Sequence, residues 1–168
     1  MKKRLTIALL LFAVGAYLVS QLADSRLTPE QILRKEYARE APVFRVGSVL
    51  HAEELTEGQL IFYRNGNGNL VCAYLEKTAL AYRLVGSSGE ISPEARGNMP
   101  ANMLYTQLDK DIWIDWGVVT NDAIHSILIN GEEAAVVEVD SLRICYLLGI
   151  GETSPASSAY QFVGANAA

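Results

Sequence analysis

QLIFYRNGNGNLVCAYLE, residues 59–76, sets two apolar runs on either side of a segment made only of Asn and Gly. Each run carries β-branched or aromatic residues that suit a strand. Asn and Gly are the residues that accept positive φ in a tight hairpin loop. The stretch therefore predicts a β-hairpin. A phosphate cradle would need these glycines to open a helix, usually beside a Lys, and here they open a second strand. A calcium loop would need carboxylates, and none lies between Tyr63 and Tyr74.

The same pattern spreads in both directions. Asn130-Gly131 separates SILI from AAVVEV and gives a second hairpin signal. In IWIDWGVV, residues 112–119, strand alternation puts Ile112, Ile114 and Trp116 on one face and Trp113 and Asp115 on the other. Trp113 and Trp116 therefore do not form one aromatic clamp. Strands are expected at 44–50, 59–64, 70–76 and 79–85, then at 112–119, 126–129, 134–139 and 142–148, with a last one at 159–163. Residues 86–111 read as a long connection with an irregular turn or short helix around 100–108. A loop of that length is either functional or hides an element.

Ahead of the strands, Thr28 as N-cap, Pro29 at the first helical position and Gln31 three residues after the cap predict a short helix. It should stop near Glu40, because Pro42 holds Ala41 extended. MKKRLTIALLLFAVGAYLVSQLADS, residues 1–25, places Lys2, Lys3 and Arg4 before an uncharged run from Leu5 to Val19. Carried on to Leu22, the run is about 18 residues long, near the lower limit for a spanning helix. This predicts a signal anchor with its N-terminus in the cytoplasm and its body outside. Val14-Gly15-Ala16 offers a small-x-small cleavage site, and cutting there would leave a secreted protein.

The fold class is accordingly mainly β, or α+β. Residues 1–23 form a transmembrane helix, 24–42 a linker helix, 43–163 an antiparallel sheet or small sandwich, and 164–168 a frayed tail. The chain has 14 Lys and Arg against 19 Asp and Glu. Setting aside the three basic residues at the N-terminus leaves 11 against 19, a net of −8, which disfavours nucleic acid as a partner.

Residues able to carry chemistry are sparse. Cys72 and Cys145 each sit inside an apolar strand and read either as a disulfide or as two core thiols. His51 and His125 stand at strand ends. A Cys–His nucleophilic pair has no local motif to fix its geometry, and two Cys with two His lack the close ligand pair of a zinc site. No metal or cofactor is expected. Asp109, Asp111 and Asp115 lead into the tryptophan strand and are the weak candidates for a cation or ligand site. Trp113, Tyr63, Tyr74 and Tyr146 are candidate contacts, weighed against plain sheet packing.

GQLIFYRNGNGNLVCAYLEKTALAYRLVG, residues 58–86, followed by IWIDWGVVTNDAIHSILINGEEAAVVEVDSLRICYLL, residues 112–148, resembles a loosely defined group of small membrane-anchored or secreted proteins of Gram-positive, spore-forming bacteria. The resemblance rests on packing and turn patterns, so it carries over no catalytic residue. It implies an anchored extracytoplasmic β domain. The expected role is a binding or accessory module for another envelope protein or envelope component, since an exposed sheet edge recognises an extended peptide without catalytic groups. The alternative is an envelope hydrolase using carboxylates or a Cys–His pair.

Overall fold

The computed structural model describes residues 25–94, 100–151, 155 and 157–164, together with positions 6, 9, 10, 12–15 and 19. Most of the expected anchor and the last four residues of the tail lie outside these. The described positions of the anchor are helical. Among the described residues, no helix is long and apolar enough to cross a membrane.

Thr28 caps helix α1 (Pro29–Tyr37) through a full capping box. The Thr28 hydroxyl accepts from the Gln31 N–H, and the Gln31 side chain accepts from the Thr28 N–H at 2.9 Å. Two otherwise orphaned donors of the first turn are thereby satisfied. A 3-10 turn (Pro42–Phe44) then delivers the chain to β1 (Val46–Leu55). The expected strand at 44–50 thus starts two residues later, because Pro42 sets up a turn first, and it runs on to Leu55.

The quoted hairpin forms as β2 (Gly58–Asn65) and β3 (Leu70–Lys77), paired from Gly58 with Glu76 to Arg64 with Leu70. In its loop, Asn65 Oδ1 accepts from the Asn67 and Asn69 N–H groups, and Gly68 takes φ +81°. The Asn-Gly run is thus a turn device, built on the Asx geometry that makes Asn a turn residue. β4 (Tyr82–Ser87) completes an antiparallel meander in the order β1-β2-β3-β4, called sheet A.

The long connection hides a strand. β5 (Ala101–Asp109) occupies the segment read from the sequence as an irregular turn or short helix. Its Asn, Thr and Gln residues blur the apolar alternation. Even so, the segment pairs from end to end with β6 (Ile112–Val119), which satisfies backbone groups that a loop would have left to solvent. β7 (Ile124–Ile129) and β8 (Glu132–Glu133) follow, then β9 (Ala135–Val139), β10 (Leu142–Ile150) and β11 (Tyr160–Gly164). Sheet B runs β5-β6-β10-β9 and sheet C runs β11-β7-β8, all antiparallel. The chain changes sheets at Ala134, whose N–H bonds to the Ile127 carbonyl at 2.8 Å.

Three apolar clusters stack these elements into four layers. Ile32 and Leu33 of α1 cover Ile61, Tyr63, Val71, Ala73 and Leu75 on one face of sheet A. The other face of sheet A brings Leu60, Phe62, Cys72 and Tyr74 against Ile114, Trp116, Ile144 and Tyr146 of sheet B. The far face of sheet B, through Val119 and Cys145, meets Ile124, Ile127 and Ile129 of sheet C. The domain is mainly β with one covering helix. Its centre is the layer between sheets A and B, where Phe62 lies 5.7 Å from Trp116 and 5.4 Å from Tyr146, ring to ring. Such tilted pairs contribute about 0.5–1.5 kcal/mol each beyond burial.

Candidate functional site

The residues singled out in the sequence do not converge. Asp109 and Asp111 are exposed at the β5–β6 turn, and Asp109 Oδ1 accepts from the Lys110 N–H at 2.7 Å. Asp115, four residues on, is fully buried on the face of β6 toward sheet C. Both of its carboxylate oxygens accept from the Tyr160 hydroxyl at 3.1 Å. Burial pushes the Asp115 carboxyl above its ordinary range, and hydrogen bonds from Ser158 and Tyr160 pull it partly back.

Trp113 shares that face and is buried over Gly149, its register partner on β10. Tyr63 and Tyr74 are buried on opposite faces of sheet A, one under α1 and the other toward sheet B. The two cysteines are free thiols in different layers, Cys72 between sheets A and B, Cys145 between sheets B and C. Burial raises both thiols, Cys145 to about 12, with the nearby Asp115 charge adding to the rise. Neither is therefore a thiolate near neutral pH. His51 is held by Glu53, Nε2 to Oε2 2.9 Å, and His125 is exposed. Among the described residues, no group of three or more His, Cys, Asp or Glu comes together to hold a metal ion.

A different place stands out. β9 pairs with β10 from Leu142 to Tyr146, whereas β6 accompanies β10 from Arg143 to Ile150. Among the described residues, no strand lies beside the outer edge of β10 beyond Tyr146. The corner at Ala134 is the cause, since it takes the chain away to sheet C. The notch that results is a cleft of about 540 Å³. Tyr146, Leu147, Leu148 and Ile150 form its floor, Leu55, Thr56 and Glu57 of the β1–β2 turn one wall, and Glu133 and Ala135 the other. Among the described residues, its charged lining is two glutamates, with no basic side chain.

The sequence held one signal for this cleft. The expected strand at 134–139 is one residue shorter than the one at 142–148 that follows it through a tight turn, a weak trace of an open edge that in the structure spans residues 147–150. No protein-family model, curated protein or solved structure matches this chain.

Proposed function

We propose that this chain is a membrane-anchored, extracytoplasmic β domain that serves as a binding or accessory module, taking an extended segment of an envelope protein along the open edge of β10. The observation that carries this reading is the unpaired half of β10 inside a cleft. Unpaired strand N–H and C=O groups are a template for another strand, and proteins usually cover or blunt them. Here they lie beside an apolar floor, which suits strand addition with alternate side chains seated in the cleft. Glu57 and Glu133 at the walls select for a basic residue in the partner. The anchor and the outward orientation rest on the basic head and apolar run of residues 2–22 and on the resemblance described above. The hydrolase alternative has no geometric observation in its favour, because among the described residues neither thiol is hydrogen-bonded to a histidine, burial raises both thiols, and the exposed Asp109 and Asp111 lie apart from the buried Asp115.

The test is site-specific photocrosslinking in intact cells from Thr56, at the lip of the cleft, with exposed Leu80 on the β3–β4 turn as control. The captured protein is then added back to the purified full chain and amide exchange is followed. Capture from Thr56 with slowed exchange at 147–150 is the expected result. Protection confined to another edge, or capture no better than from Leu80, would defeat the reading.

A further inference from the structure

At the opposite side of sheet A, where the end of α1 and the 3-10 turn meet the β2–β3 loop, lies a smaller pocket of about 60 Å³. That is room for a few water-sized groups, since roughly 10–15 Å³ of such space already holds one water. Three aromatic residues line it: Tyr37, Phe44 and Tyr63. The two tyrosine rings stand 6.5 Å apart, inclined by 49°. Their hydroxyls are already engaged, Tyr63 with Tyr37 and Tyr37 with Ser87 Oγ at 2.5 Å, so the rings are held in place. Among the described residues, Glu90 is the one charged residue in the lining, and no Lys or Arg is present. Aromatic faces are electron-rich, and with a carboxylate beside them they favour a cation over an anion or a neutral group.

A second observation is independent of the rings. Asn65 also lines the pocket and is 5% exposed. Its Oδ1 is committed to the Asn67 and Asn69 N–H groups, which fixes the amide's orientation. Its Nδ2 is buried and has no hydrogen-bond partner. A buried donor left unpaired is destabilising, so this nitrogen calls for an acceptor oxygen.

We propose that the pocket binds a small ligand in which an ammonium group and an acceptor oxygen lie a few atoms apart, as in an amino alcohol. The ammonium sits against Tyr37, Phe44 and Tyr63 with Glu90 as counter-charge, and the oxygen accepts from Asn65 Nδ2. The site is separate from the β10 cleft and does not depend on the function proposed for it. Phe44 is half exposed and Glu90 is exposed, accepting from Asn69 Nδ2 at 2.7 Å, so both tolerate replacement without loss of the core.

The experiment uses the full chain in detergent micelles, with the Asn65 side-chain amide and the Phe44 ring followed by NMR. Ethanolamine is the probe, and ethylene glycol is its uncharged counterpart of equal size. The expected result is a saturable shift of both reporters with ethanolamine alone. Glu90→Gln should weaken binding by about fivefold and Phe44→Ala by about two- to fivefold. An equal response to ethylene glycol, no saturable response to ethanolamine, or full affinity in folded Glu90→Gln would overturn the proposal and leave a hydrated cavity. A parallel sample in phosphatidylethanolamine nanodiscs distinguishes the sources. The shift appearing there without added ligand assigns the ammonium to a lipid headgroup, and its absence there with response to free ethanolamine assigns it to a soluble molecule.

Discussion

Strand β6 has two faces that hold their neighbours in different ways. Toward sheet A it presents Ile114, Trp116 and Val118, flanked by Ile144 and Tyr146, and meets a face that is equally apolar. Toward sheet C it presents Trp113, Asp115, Gly117 and Val119, with Cys145 and Gly149 on the adjoining strand. The first interface is held by burial of large side chains, which is strong and undirected. The second depends on shape and on one polar link. A Cβ at Gly149 would lie 2.2 Å from the Trp113 ring, and a Cβ at Gly117 would lie 2.3 Å from the Asn102 carbonyl oxygen. Asp115 ties β6 to β11 through Tyr160. One strand thus combines a face that supplies stability with a face that specifies where the small third sheet docks.

The largest effect that tests this contrast should come from Trp116, which has no exposed surface. Trp116→Ala is expected to cost about 3–5 kcal/mol in urea unfolding, as for other buried tryptophans. Trp116→Phe should cost much less. It keeps an aromatic ring in the layer and removes an indole N–H that has no hydrogen-bond partner. A loss below about 1 kcal/mol for the alanine variant would mean that the central layer is not the main source of stability. Next in size is Gly149→Ala. The added methyl displaces Trp113, at about 1–3 kcal/mol for overpacking. Combining it with Trp113→Leu should recover part of that loss, because the smaller side chain makes room. Strict additivity of the two changes would show that the Gly–Trp contact does not govern this face.

What was legible in the sequence follows the same division. The hairpin at 59–76, the capped start of the helix and the alternation of IWIDWGVV carry strong local signals, and each formed where those signals placed it, although the helix ends at Tyr37, three residues before the expected stop. β5 escaped notice because its alternation runs through Asn102, Thr106 and Gln107, and what defines it is pairing with β6, a partner that no window of its own sequence contains. Grouping Asp109, Asp111 and Asp115 by sequence distance failed for a related reason. Strand geometry carries Asp115 into the interior while the other two remain at the turn. Alternation correctly set Trp113 and Trp116 on opposite faces, yet it gave no sign that Gly149 would lie under Trp113. The β10 cleft arises from the change of sheet at Ala134, a tertiary event whose only local trace is the mismatch in length between β9 and β10.

The smallest expected effect concerns the polar link, and its sign is specific. Burial raises the Asp115 carboxyl in the folded protein, so from about pH 4 upward the folded state holds a proton that the unfolded state has released. Stability should therefore fall as pH rises from the ordinary carboxylate range through the raised value, and level off above it. Asp115→Asn still offers an oxygen to the Tyr160 hydroxyl but does not titrate. It should remove this part of the slope and leave stability at pH 7 within about 1 kcal/mol of the parent. Tyr160→Phe acts in the opposite direction. It removes a hydrogen bond that favours the charged carboxylate, so the falling limb should extend to higher pH, and the loss, about 1 kcal/mol at pH 7, should shrink toward pH 4. Urea midpoints of the three proteins between pH 4 and 8 measure all of this. If the parent and Asp115→Asn show the same pH profile, the Asp115 carboxyl titrates alike in the folded and unfolded protein, and the link to β11 is made by an ordinary carboxylate.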